Sequence, residues 1–352
     1  MTIEYYASLL RRDYVPNPVY AEISTGNWIR ALRKCIEEEY GNNISEWEEN
    51  LRGTFTTVQG REFENLPAAL LCLSQGMSLT LSLKTRSTQP FFPWNTVGLI
   101  SDFYYSITNL FNVVVIGQTD QLVENHRGRI KVFSGIKNIF PHPFNMYTEF
   151  NNSLWNQKKL ITQEYYTSYL PSVGMVRNNA SESSINSWHT EIDHELAQDI
   201  ILGYMRGTTG FYLEEKTEAY KKKAKNENFM KQSHKDAVNP ELKRGSTNFM
   251  SCLYRYRTKA HYRDFIYLTN HSYEPSNGRA NNYIDQSYID SLFVVSYFTT
   301  AMAIKYLIAK LGRENAYNAV NAIKQSFKAG AEDLWFIYPP GGRELGAEDY
   351  FR

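Results

Sequence analysis

Apolar residues recur along this chain at three- and four-residue intervals, the spacing of a helix with one buried face. Ile29, Leu32 and Ile36 predict a helix over Trp28 to Tyr40, stopped by Gly41-Asn42-Asn43. Asn65 to Leu83 is apolar, and Leu66-Pro67 suits a helix start. Gln89-Pro-Phe-Phe-Pro-Trp94 is a rigid connector, because its two prolines break any helix. The clearest helix is Asn95 to Gly117, with Val97, Ile100, Phe103, Ile107, Leu110, Phe111 and Val114 on one face. Asp102, Thr108 and Asn112 fall elsewhere on it, and Gly117 is the expected stop. Helical patterning returns over Thr247 to Asn270, before the Asn277-Gly278 break. Tyr283 to Leu311 is a long apolar helix ended by Gly312, and Glu314 to Lys328 is amphipathic.

Residues 136–245 have a different texture. Pro141-His-Pro143 and Asn178 to Ser184 read as loops, and Ile192 to Met205 as a short helix. Lys216 to Lys235 is dominated by Lys and Glu, the pattern of a solvated helix or projecting arm. The predicted organisation has five parts. Residues 1–94 form an N-terminal helical region, 95–135 the first half of a bundle, 136–245 an insertion, 246–312 the second half, and 313–352 a C-terminal helix and tail. The expected fold class is mainly α: a helical bundle split by a long insertion, with extra N-terminal helices.

Composition narrows the function classes. The 352 residues are 42% hydrophobic, enough for a packed core. Formal net charge is only +1, so any nucleic-acid site has to be a local patch. Cys35, Cys72 and Cys252 are scattered and odd in number, which argues against a disulfide framework and fits a reducing cytoplasm. The start of the chain lacks the basic-then-apolar pattern of a secretion signal. Ser291 to Ala309 carries one charge, Lys305, and reads as a buried bundle helix, with a membrane span as the alternative.

Two segments over a hundred residues apart carry candidate chemistry. The first holds Tyr104-Tyr105, then His126-Arg127-Gly128-Arg129 leading to Phe133. The second runs Arg255-Tyr-Arg257-Thr-Lys-Ala-His261-Tyr262-Arg263. His261 is a candidate proton acceptor at neutral pH, and an arginine offers a permanently charged fork of donors to phosphate oxygens. Arg255 precedes His261 by six positions and Arg257 by four. Residues four apart share a helix face, whereas Arg255 lies about 120° round, so either arginine remains a candidate partner.

Taken in order, these segments resemble the two halves of a HEPN domain, a small helical bundle found in RNA-cutting toxins and defence proteins. Tyr104-Tyr105 matches its aromatic helix, His126-Arg127-Gly128 with Phe133 its turn, and Arg257 to Tyr262 its later helix, with His261 where the short family often has Asp. Arg255 to His261 fits that family's catalytic spacing; Arg257 to His261 does not. The resemblance spans about a third of the chain. It implies a homodimeric, metal-independent endoribonuclease of toxin or antiviral-defence type, needing no cofactor. His261, Arg257 and Arg255 would be catalytic. Tyr262, Arg263, His126, Arg127 and Arg129 would hold RNA. An antitoxin, nucleotidyltransferase or ATPase subunit would be the protein partner, and no membrane would be involved. The alternative is a non-catalytic dimerisation or adaptor subunit of the same kind of complex. His189 and His194 are five apart, not the His-Glu-x-x-His zinc spacing, so no metal site is expected.

Overall fold

The computed structural model describes residues 18–51, 53–55, 63–87, 96–123, 125–148, 194–224, 233, 247–258 and 286–326. Helix accounts for 84% of the described residues and strand for 2%, so the protein is mainly α. The helices are α1 (Pro18–Tyr40), α2 (Ile44–Asn50), α3 (Leu66–Ser87), α4 (Thr96–Thr119) and α5 (His126–Ile136). They continue with α6 (His194–Ala224), α7 (Phe249–Thr258), α8 (Gln286–Leu311) and α9 (Arg313–Ser326). Tyr147–Thr148 (β1) and Thr247–Asn248 (β2) pair antiparallel, with Tyr147 opposite Asn248.

An antiparallel pair, α3 and α4, forms the centre, and α8 packs along both. Small residues allow the approach. A Cβ at Gly76 of α3 would lie 2.6 Å from Leu110 Cγ of α4, so Leu110 occupies the space a side chain would need. The same turn is stitched by hydroxyls: Thr80 and Ser106 both donate to the Gly76 carbonyl at 3.0 Å, and Ser296 of α8 donates to Ser106 at 2.9 Å. These buried polar groups are therefore satisfied rather than orphaned. The helix around Tyr104 thus packs against the one around Val294, as the stripe from Phe103 to Val114 requires.

Several sequence expectations change in detail. α4 is buried nearly all round, including Thr108 and Asn112, because α3, α5, α7 and α8 all pack on it. Thr108 tolerates burial by donating back to the Tyr104 carbonyl at 2.7 Å. Gly117 does not end α4; a Cβ there would meet Tyr306 Oη at 2.4 Å, so the glycine serves helix packing. The helix stops at Asp120, which adopts φ 53°. Gly41 and Gly312 do end their helices, at φ 94° and 79°.

Within the span 136–245, helix α6 begins near the expected place but extends to Ala224, and it packs along α1. Ala197, Ile200, Ile201, Tyr204 and Met205 join the one core. Tyr204 stacks on Trp28 of α1 with centroids 4.5 Å apart. Beyond that buried stretch Glu215, Glu218 and Lys222 are exposed, as their charge density predicts.

α3, α4 and α8 are each long and apolar enough to cross a membrane. Their apolar windows are 44%, 78% and 83% buried within the bundle, so for α4 and α8 protein contacts already take up most of that surface.

Two substitutions test this packing. Gly76→Leu would overpack the α3–α4 contact and should lower unfolding free energy by about 1–3 kcal/mol. A Cβ at the exposed Gly135 of α5 meets nothing within 4 Å. Gly135→Ala should therefore stabilise by about 0.5–1 kcal/mol. Urea unfolding of both variants beside the parent protein checks the two opposite signs.

Candidate nucleic-acid interface

Five phenylalanines seat the site. Phe111 of α4 is ringed by Phe133 of α5, Phe140 and Phe144 of the following turn, and Phe249 of α7, with centroids 4.6 to 5.5 Å away. This cluster clamps α5 and α7 against the same side of α4. Tyr256 of α7 hydrogen-bonds Tyr288 of α8 and completes the seat.

Local sequence shapes the start of α5. Asn125 is the N-cap, its side chain accepting from the Gly128 N–H at 2.7 Å. Gly128 is required there, since a Cβ would lie 2.6 Å from Val123 Cγ1. Arg129 donates from Nε to the Val123 carbonyl at 2.6 Å. His126 is thereby aimed at α4 and α7. Its Nδ1 meets Tyr104 Oη at 2.5 Å, and its ring stacks on Tyr254 with centroids 5.0 Å apart.

Arg257 closes the group. Its guanidinium carbon lies 5.4 Å from the ring centroids of both Tyr104 and Tyr105. Its Nε is buried and has no hydrogen-bond partner among the described residues. The two distant motif segments thus meet: Tyr104-Tyr105, His126, Arg129 and Arg257 share one corner of the bundle.

The two candidate arginines of α7 face different ways. Arg255 is 2% exposed and donates to Thr208 Oγ1 of α6 at 3.2 Å, with Tyr204 beneath it at 5.9 Å. Arg257 faces α4 and α5. Arg127 is exposed and Arg129 half-buried. His261, Tyr262 and Arg263 lie outside the described residues. Sequence reasoning passed over Tyr254 as a site residue. Its helical spacing from Arg257, three positions on, was the available signal.

The electrostatics of the corner are one-sided. Burial pushes the Tyr104 phenol up to about 12, so it stays protonated. Desolvation first, then Arg257 and Arg129, pull His126 below its ordinary value, so the imidazole is neutral at pH 7. Tyr104 Oη and His126 Nδ1 share one hydrogen bond, and where the phenol is its donor the ring proton sits on Nε2. The corner therefore presents two guanidinium groups and a neutral imidazole. The nearest described carboxylate in the sequence of α4, Asp102, is engaged by Arg86 at 3.2 Å and Ser82 at 2.8 Å.

A second histidine group lies elsewhere. His142 pairs with Glu39 of α1, and His194 at the start of α6 reaches the same carboxylate oxygen at 3.1 Å. The two imidazoles are 6.0 Å apart, centroid to centroid. Among the described residues no group of three or more His, Cys, Asp or Glu side chains is arranged to hold a metal ion.

The chain gives no match to family models, to functionally characterised proteins or to solved structures.

The charge relation is testable by titration. Arg257 disfavours the imidazolium, so Arg257→Gln should raise the His126 midpoint toward the ordinary value of about 6.5. In the parent protein the folded midpoint lies below the unfolded one. The unfolded chain then binds the proton first as pH falls below about 6.5, and acid lowers stability. Histidine-resolved NMR titration of both proteins checks the direction; an unchanged midpoint would show that Arg257 does not act on the ring.

Proposed function

We propose that this protein is a HEPN-type, metal-independent endoribonuclease of toxin or defence type, working in the cytoplasm as a homodimer. The observation that carries the reading is the seat of Arg257. An arginine from one half of the resemblance rests on Tyr104 and Tyr105 from the other half, beside His126. A guanidinium held by aromatic faces keeps its planar fork of donors for an anion.

The mechanism assigns each group one task. Arg257 and Arg129 bind the scissile phosphate, and the N–H of His126 Nε2 donates to one of its oxygens. His261, four residues beyond Arg257, accepts the proton of the neighbouring 2′-hydroxyl. The 2′-oxygen attacks phosphorus, the bond to the 5′-oxygen breaks, and that oxygen takes a proton from water, whose hydroxide accepts the proton that His261 had gained. Charge building on the phosphorane is met by donors already in place. The products are a 2′,3′-cyclic phosphate and a free 5′-hydroxyl. In this reading Arg255 supports the fold, since its charge is buried against α6 rather than near His126.

That same burial favours a second reading. The arginine that fits the family's catalytic spacing is Arg255, and its side chain is out of reach of a substrate. A non-catalytic adaptor would keep the bundle and bind its partner through the same corner. An antitoxin, nucleotidyltransferase or ATPase subunit is the partner such a module would serve.

Arginine replacement separates the readings. In the ribonuclease, Arg257→Ala and His261→Ala should each slow cleavage about a hundredfold or more while melting like the parent. Arg255→Ala should lower thermal stability instead, because it opens a buried contact. Chelators should leave the rate unchanged, and a 2′-deoxy residue at the cleavage site should block it. Full biological activity retained by both Arg257→Ala and His261→Ala, with no RNA cut, would leave the adaptor reading.

A further inference from the structure

The surface of α5 extends the corner into a track. Residues 125–148 carry Arg127, Arg129, Lys131 and Lys137 and no Asp or Glu, in a chain whose whole net charge is +1. Arg127 and Lys131, four apart, are exposed on one face of α5. Glu124 and Glu149, which flank this stretch, lie outside the described residues. The basic density is therefore local to α5 and the turn after it.

An aromatic ring backed by a cation stands at each end. Among the described residues the exposed large hydrophobic side chains are Leu71, Tyr105, Leu122 and Tyr147. Tyr105, 37% exposed, has Arg257 over its ring and sits near the first turn of α5, beside Tyr104 at 5.0 Å. Tyr147, 40% exposed, has Lys137 Nζ 4.0 Å from its centroid, just past the last turn. The eleven residues of α5 between them rise about 16 Å. β1 holds Tyr147 in place through its pairing with Thr247–Asn248, and Asn248 also donates to Ser134 of α5 at 2.7 Å.

We infer that α5 is the floor of a track for single-stranded RNA, with one unpaired base stacked on Tyr105, another on Tyr147, and the intervening phosphates on Arg127, Lys131 and Lys137. Aromatic platforms joined by a basic surface are what an unpaired strand requires. Every base has a π-face, and only an unstacked base can offer it. A duplex keeps its bases stacked on each other and leaves both rings unused. A cation on a tyrosine ring fixes the ring's orientation before a base arrives. The inference rests on the ribonuclease reading for its choice of RNA, and it adds the substrate class: unpaired segments, loops or tails. It also separates two tasks. Arg257 and His126 act at the scissile phosphate, whereas Tyr147, at the far end of α5, contributes to binding alone.

Fluorescence anisotropy with a labelled twelve-nucleotide RNA, its duplex form and the matching single-stranded DNA tests the track on the full-length protein. The single-stranded RNA should bind more tightly than the duplex. Tyr147→Ala should weaken binding about tenfold, while Tyr147→Phe, which keeps the ring, should bind like the parent. Lys131→Ala should make affinity less sensitive to salt. Under single-turnover conditions, Tyr147→Ala should raise about tenfold the protein concentration needed for half-maximal cutting, whereas Arg257→Ala should lower the maximal rate itself. Equal affinity for duplex and single strand, or equal affinity of the parent and Tyr147→Ala, would overturn the track while leaving the ribonuclease intact. A parent protein that cuts no RNA but shows the Tyr147-dependent preference would keep the track and remove the chemistry. Binding no RNA of any form would remove both.

Discussion

The close approach of α3, α4 and α8 around Gly76 is the constraint on which the other features depend. Leu110 fills the place of a missing side chain, and three hydroxyls converge at the same level, two of them on the Gly76 carbonyl. Backbones this close gain dispersion contacts over a long stretch, and the hydroxyls satisfy groups that burial would otherwise leave unpaired. The effect reaches the candidate site directly. Ser106 is held between α3 and α8, and Tyr104 and Tyr105 immediately precede it on α4. Locking Ser106 inward therefore sets the rotation of α4 that turns the two tyrosines toward α5 and α7.

Around that centre the aromatic residues do two kinds of work. Phe111 and its four neighbours are core and fix where α5 and α7 lie. Tyr104, Tyr254 and Tyr105 grade outward from that core toward solvent, and each touches a charged or titratable partner. The gradation explains how so aromatic a chain keeps a dense interior and still presents rings at its surface. It also explains the depressed basicity of His126, which sits at the boundary with two arginines nearby.

Much of this was legible in the residues. The stripe of α4, the length of α8, and Gly41 and Gly312 as helix ends follow from periodicity and glycine's conformational freedom. The role of α6 did not. Its buried positions are confined to part of its length and are followed by Lys and Glu, so it reads as a short helix and then a solvated arm within an insertion, although Ile200, Ile201 and Tyr204 are core. Thr108 lies off the apolar stripe and is nonetheless buried, because a threonine bonded to its own helix carbonyl is cheap to bury. The choice between Arg255 and Arg257 needed three dimensions. Spacing tells which residues share a face with His261, but not which neighbour that face meets. The structure puts Arg255 against α6 and Arg257 against α4. Tyr147 had no signal beyond being a tyrosine, since its exposure follows from a two-residue strand that pairs across a long sequence gap.

The Glu39 carboxylate that gathers His142 and His194 has a consequence for the chain's connectivity. It joins the ends of a long stretch of sequence to one point on α1, and Thr148 Oγ1 lies 3.2 Å from Thr209 Oγ1 of α6, a second link between the same two regions. The entropy that such a long-range tie has to offset grows only logarithmically with the sequence separation it closes, about 0.6 kcal/mol for each doubling. One carboxylate thereby fastens the turn after α5 and the start of α6 to α1 at a cost that hardly depends on how far apart in sequence the two histidines stand.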